Sequence, residues 1–271
     1  GSAEEHVGAL LKQDFAAHRD ELILSTKAGY RMGPGPYGDG GSRKYLVASL
    51  DQSLRRMQVD HVDIFYHHRP DPDTPLEETM DALSHIVRSG RALYVGLSNY
   101  PPALLREAAR LLRASGTPCL IHQPRYNLLF REIERELLPL AAEEGIGVIP
   151  YNPIAGGLLS GKHNPQAGPE EGSRFTLGTA AERYQDRYWH EGMFETVEKL
   201  RPMAADAGMT LPQMAVAWVL ANPAVTAPII GASRPEQLED TLKAAETPLI
   251  PELKQSLDVL TAQYRKGDAA R

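Results

Sequence analysis

The chain has 271 residues, is 42% hydrophobic and 24% charged, and carries a formal net charge of −6, the balance of a globular protein with one large or two small α/β domains. It contains no dense Lys/Arg block, no apolar run near the ~20 residues of a bilayer span and no basic-then-apolar leader, which argues against a nucleic-acid surface, a membrane segment and a secretory signal. Its single cysteine, Cys119, rules out an internal disulfide and fits a reducing cytoplasm.

The chain opens on "GSAEEHVGALLKQDF", where Ser2 and Glu5 have the spacing of a capping box and Val7, Leu10, Leu11 and Phe15 form an apolar stripe. A helix is predicted there. It is followed by "ELILSTKAG" (21–29), too short for a helix and read as a strand buried on both faces. "SRKYLVASLDQSLRRMQ" (42–58) returns to helical spacing, with Leu46, Leu50 and Leu54 four apart. "HVDIFYHH" (61–68) is the second strand, and "LEETMDALSHIVRSG" (76–90) is a helix closed by Gly90. Four further runs read as strands: "ALYVGLSN" (92–99), "CLIHQPRYN" (119–127), "GIGVIPYNP" (145–153) and "VTAPIIGAS" (225–233). A Gly/Pro-rich stretch from about 154 to 175 is too long for a plain connection and is read as a lid.

Strand and helix in alternation imply parallel pairing. In all six strands the polar residues gather at the C-terminal end, from Ser25-Thr26-Lys27 and His67-His68 to Ser233-Arg234. A closed (β/α)₈ barrel places its active site on that face, whereas a doubly wound sheet concentrates polar groups at one switch point. The predicted fold is therefore a TIM barrel, one domain over 1–271. Only six of its eight strand-helix units are evident, and the expectation is that the N-terminal part is missing.

Two apparent nucleotide motifs fail on chemistry. "GPGPYG" (33–38) spells G-x-G-x-x-G, but Pro34 and Pro36 remove backbone donors a pyrophosphate needs, and the next strand ends in His68 rather than an acid. "GGLLSGKH" (156–163) places His163 where a P-loop needs Ser or Thr. No metal site is predicted, because His67 and His68 are adjacent and strand neighbours point to opposite faces. What remains is Lys27 and His68, an amine and an imidazole at the ends of consecutive strands. Desolvated, such a pair can tune a proton donor.

"STKAG", "DIFYHHRPD", "YVGLSNY", "IHQPRYN", "YNPIAGGLLSGK" and "IIGAS" together resemble the aldo-keto reductases. "GPGPYGDGGSRKYL" and "GSAEE" are similar to the bacterial L-glyceraldehyde 3-phosphate reductase subfamily, while "RPDPDTPLEET" also resembles the β subunits of voltage-gated potassium channels. The resemblance implies a barrel that binds NADPH at its mouth and reduces small aldehydes and ketones, glyceraldehyde 3-phosphate among the candidates, with an Asp, Tyr, Lys, His tetrad. Lys27 and His68 take the last two roles. The family's Asp and Tyr precede "GSAEE" and match no residue here, so the proton-donating tyrosine is expected on an upstream segment.

By the same resemblance, Tyr30 and His67 line the substrate, and His67 has a supporting position as an alternative. Ser98, Asn99 and Gln123 hold the nicotinamide carboxamide and Tyr151 stacks on its ring. Asn152, Pro153, Ile154, Gly156, Lys162 and Arg174 line the pyrophosphate within a covering loop region, 154–190. Gly231, Ser233, Arg234, Gln237, Asp240 and Thr241 take the adenosine end; the family commonly has Asn where Thr241 stands. The alternative function is a non-catalytic NADPH-binding module like the channel β subunits, or an inactive fragment. His68 favours the enzyme, since those subunits carry Asn at that place. No nucleic-acid or membrane partner is expected, and a homo-oligomer is left open.

Overall fold

A computed structural model describes residues 1–270. Its contacts fall into two compact units, Gly1–Gln123 with Leu140–Ile146, and Pro124–Pro139 with Gly147–Arg271.

The first unit is built from helix α1 (Ser2–Gln13), strand β1 (Ser25–Ala28), α2 (Arg43–Met57), β2 (Val62–His67), α3 (Leu76–Arg88), β3 (Ala92–Ser98), α4 (Pro102–Ala114) and β4 (Cys119–Gln123). The four strands pair in parallel and in chain order. Helix α2 forms where the leucine spacing predicts it. Ser42 caps its start by accepting from the Tyr45 N–H, and Leu46, Leu50 and Leu54 are all buried. Helix α3 ends at Arg88, and Gly90 follows with φ of 78°, the left-handed turn glycine allows.

Helix α1 is present, but its capping box is not. Gly1 is the N-cap and Ser2 already lies inside the helix, so no side chain caps the end. The predicted apolar stripe is also only partly used, with Leu10 and Phe15 exposed and Gly8 buried. The reason is close approach: a methyl at Gly8 would stand 2.7 Å from the Met57 carbonyl oxygen at the end of α2. Glu4 completes the attachment by accepting from Thr26 Oγ1 at 2.5 Å and Arg56 Nε at 2.6 Å.

A helix α5 (Leu137–Glu144) begins in the second unit and ends in the first. The second unit continues with β5 (Gly147–Val148), α6 (Ala181–Tyr188), α7 (Glu191–Asp206), α8 (Leu211–Leu220), α9 (Glu236–Glu246) and α10 (Pro251–Leu260). Nearly every residue of α8 is apolar, and the helix is accordingly buried almost all round. Arg131 is the polar centre of this unit. Its guanidinium donates to both oxygens of Glu134, to the Asp258 carbonyl and to Thr261 Oγ1.

The sixth predicted strand is corrected here. Residues 225–233 form no strand, although Thr226 and Ile229 donate backbone bonds to Val148 and Pro150. Pro228 has no N–H to continue the ladder, and Pro150 and Pro153 interrupt the facing run in the same way. That also confines β5 to two residues.

Gly96 sets the packing of β3. The register shifts between Val95 and Gly96, and a methyl on Gly96 would collide with Cδ1 and Cε1 of the buried Tyr66 ring. Gly96→Ala should therefore cost about 1–3 kcal/mol in urea unfolding, the usual penalty of overpacking. Much of that loss should be recovered in the Gly96→Ala/Tyr66→Leu double variant, whose smaller side chain vacates the space. Equal losses with either residue at 66 would mean the ring is not the obstacle.

Candidate functional site

Parallel register brings the strand ends of the first unit into one row. Lys27 pairs with Tyr66, Ala28 with His67 and Ser98 with Gln123. The ladder continues one step further, as the His68 N–H donates to the Ala28 carbonyl at 2.8 Å. Lys27 Nζ lies 5.3 Å from the centroid of the Tyr66 ring. Alternation puts Tyr66 and His68 on one face of their strand, so the amine and the imidazole share a side of the sheet.

Burial lowers the Lys27 pKa because it takes water away from the ammonium. No carboxylate lies within ion-pair distance of it among the described residues. Tyr66 beneath it has its pKa raised by burial and a hydroxyl without a hydrogen bond among the described residues, so it is a neutral aromatic floor. Tyr30 meets His68 edge-on at 4.6 Å between centroids. The Tyr30 carbonyl is held by the Tyr45 hydroxyl at 2.6 Å, and its ring faces the Arg69 guanidinium at 5.1 Å.

The polar row then runs across β3 to β4. Asn99, in the left-handed region at φ of 59°, donates from Nδ2 to the His68 carbonyl at 2.9 Å. Ser98 Oγ donates to the Gln123 carbonyl at 2.8 Å. Gln123 is 5% exposed, and its side-chain amide makes no hydrogen bond among the described residues. A buried amide with both donor and acceptor unspent suits a ligand that is itself a primary amide.

His67 departs from the substrate-lining expectation. It is fully buried at 0% exposure. Its Nδ1 is 2.6 Å from the Tyr100 hydroxyl, and its ring edge lies against Gly41, where a methyl would stand 3.0 Å from Cε1. Odd and even strand positions face opposite ways, so the imidazole beside His68 turns into the packing and supports Tyr100. Tyr100 in turn donates its N–H to Nε2 of His122 at 3.2 Å. His122 is fully buried as well, which makes it the Nδ1-protonated neutral tautomer. Burial pushes His67 down to about 4 and His122 to about 3. This His67–Tyr100–His122 support was not assigned from the sequence, although a histidine in the middle of the apolar run "CLIHQ" was the available signal.

In the second unit the predicted residues fall in two groups. The first follows β5. Tyr151 donates its N–H to the Pro124 carbonyl at 2.9 Å and accepts from the Tyr126 N–H. Asn152, at φ of 59°, takes the Tyr184 hydroxyl on Oδ1 at 3.2 Å. Pro153 is buried and Ile154 half-buried. Gly156 is required twice over: its φ is 68°, and a methyl there would stand 2.6 Å from the Tyr184 ring. Of the two predicted cations, Lys162 is paired with Glu170 at 3.2 Å and Arg174 lies 5.9 Å over Tyr184. Both are exposed.

The second group precedes and enters α9. Gln237 Oε1 accepts from Ser233 N at 2.9 Å and from its hydroxyl at 3.1 Å, which fixes the turn that presents Arg234. Gly231, Ser233, Arg234 and Gln237 are exposed, and Asp240 is half-buried. Thr241 is buried, and its hydroxyl is spent on the Leu238 carbonyl within the helix. The exposed Arg234 guanidinium and Ser233 hydroxyl are chemistry for phosphate oxygens.

The sequence pattern of the Aldo/keto reductase family matches residues 1–261. An L-glyceraldehyde 3-phosphate reductase of Escherichia coli (strain K12) is 50% identical over 245 residues, 90% of this chain and 70% of that protein. A probable voltage-gated potassium channel subunit beta of Arabidopsis thaliana is 38% identical over 253 residues, covering 91% of this chain and 74% of its own length. A protein of the same description from Oryza sativa subsp. japonica is 36% identical over 275 residues, 98% and 81% of the two chains. The chain is thus a member of the aldo/keto reductase family, TIM-barrel oxidoreductases.

Proposed function

We propose that the protein reduces small aldehydes and ketones, glyceraldehyde 3-phosphate among them, with NADPH as reductant. The observation that carries this reading is the desolvated Lys27 amine over Tyr66 with His68 on the same strand face. The relative whose printed name contains the substrate, at 50% identity, supports the choice of a phosphorylated aldehyde.

Taken unit by unit, the residues have chemistry that suits separate parts of the cofactor. The unspent Gln123 amide, with Ser98 and Asn99, suits the carboxamide. Tyr151 suits the ring face, and Asn152 to Gly156 with Lys162 and Arg174 suit the pyrophosphate. Gly231, Ser233, Arg234, Gln237 and Asp240 suit the adenosine end, Arg234 offering a guanidinium to the 2′-phosphate, with Thr241 behind them in the helix. When bound, the reduced nicotinamide supplies the hydride. The protein's part is electrostatic. His68 hydrogen-bonds the carbonyl oxygen and fixes its direction, with Tyr30 against its edge. Lys27, short of water, stabilises negative charge on a neighbouring tyrosine of the family's tetrad and so eases proton release to that oxygen.

The native protein should show saturable fluorescence quenching on titration with NADPH, and weaker binding of NADH. It should then consume NADPH only when an aldehyde is added. Saturable binding without turnover of glyceraldehyde or glyceraldehyde 3-phosphate would sink the enzymatic reading and leave a nucleotide-binding module.

A further inference from the structure

Two buried arginines of the second unit are used very differently. Arg131 has its three guanidinium nitrogens committed, through four hydrogen bonds to Glu134, Asp258 and Thr261. Arg125 is also buried, its side chain 8% exposed, yet it makes one side-chain hydrogen bond among the described residues. Nη2 donates to Asp268 Oδ1 at 2.6 Å. Its guanidinium carbon lies over the Phe130 ring, 3.4 Å from the centroid. Its Nε and Nη1 make no hydrogen bond among the described residues and are not sealed from solvent, so a rigidly held fork keeps donors open to a ligand.

Its place in the fold indicates what that is. Arg125 forms a parallel bridge with Tyr151, and bridged residues project to the same side. The fork is therefore beside the residue assigned to the nicotinamide ring. Its one partner, Asp268, belongs to the C-terminal segment Ala262–Ala270 and is 53% exposed. A carboxylate that wet gives up a partner far more readily than Glu134, which is 13% exposed, gives up Arg131.

We propose that Arg125 is the seat for the phosphate of a phosphorylated aldehyde, and that the Asp268 carboxylate is an internal competitor occupying it. This rests on the carbonyl-reductase reading above and names its substrate class. Phosphate outcompetes this carboxylate because it carries more charge and, free to turn, can engage two guanidinium nitrogens, whereas Asp268 accepts from Nη2 alone. The seat then discriminates by charge. A neutral aldehyde gains nothing from Arg125, whereas a phosphorylated one displaces Asp268.

The test compares glyceraldehyde 3-phosphate with glyceraldehyde in steady-state kinetics of the native protein, with calorimetric binding of glycerol 3-phosphate as a readout free of chemistry. Arg125→Gln should lower the ratio of kcat/KM values, phosphorylated over neutral, at least tenfold and abolish glycerol 3-phosphate binding. Asp268→Asn should tighten glycerol 3-phosphate binding threefold or more and lower KM for the phosphorylated aldehyde alone. The Kd for NADPH should be unchanged in Asp268→Asn. If Arg125→Gln weakens NADPH instead and leaves the ratio intact, the seat serves the cofactor and the inference is wrong. Equal losses on both aldehydes in Asp268→Asn would also overturn it, showing a tail anchor. Absence of all turnover with glycerol 3-phosphate binding still lost in Arg125→Gln would refute the reductase reading and not the seat.

Discussion

Lys27→Met should lower kcat/KM for aldehyde reduction by about two to four orders of magnitude, the range of a lost contribution to proton transfer. Methionine keeps the length and apolar stem of lysine, so the packing over the Tyr66 ring survives while the charge goes. The Kd for NADPH should move less than about threefold, because the Gln123 amide and the cations proposed for the cofactor's phosphates are other residues. The pH profile is the sharper readout. Lys27 has its pKa held low by burial, so its charge is lost at lower pH than an ordinary lysine's. The alkaline fall in kcat should accordingly come earlier than free lysine would give, and the Met variant should lose that limb. A Lys27→Met protein within fivefold of wild type would remove Lys27 from the chemistry.

Acid should unfold this protein early. His67 and His122 are pushed down to about 4 and about 3 by burial, against about 6.5 in an unfolded chain. Below pH 6.5 the unfolded state binds protons that the folded state refuses, so stability is full above that pH and is lost as pH falls toward the folded values. Each group costs about 2 kcal/mol between pH 7 and 5, a little under 4 together. Asp71 and Glu4, held below the ordinary carboxylate range by their hydrogen bonds despite burial, act only at lower pH. The comparison of pH 7 with pH 5 therefore reports on histidines, chiefly His67 and His122, with a smaller share from the half-buried His163, whose pKa burial also lowers. His122→Gln should remove about half of the difference in urea unfolding free energy; an unchanged difference would mean that His122 becomes protonated without unfolding.

How far the chain could be read from its letters follows from the range of the interactions. Helix α2 and strands β1 to β4 were legible because their signals are local: leucines four apart, or a short apolar run. The strand-end row of Lys27, His68, Ser98 and Gln123 was legible for the same reason, since alternation and parallel pairing carry it. The capping box failed because S-x-x-E names a possible bond, while the helix start was decided by the seat of Gly8 against α2. The sixth run failed because prolines inside an apolar stretch leave hydrophobicity intact and remove hydrogen-bond donors. Arg125 was invisible because its partner stands 143 positions away. For His67 the sequence left a substrate-lining and a supporting position open, because adjacency says that two imidazoles face apart without saying which one turns inward; the buried contact with Tyr100 fits the supporting one.

The division of the chain carries a genetic corollary. The path crosses from one compact unit to the other after Gln123, after Pro139 and after Ile146, so neither unit is a continuous stretch of gene. A single nick or stop codon cannot release either as an autonomous piece.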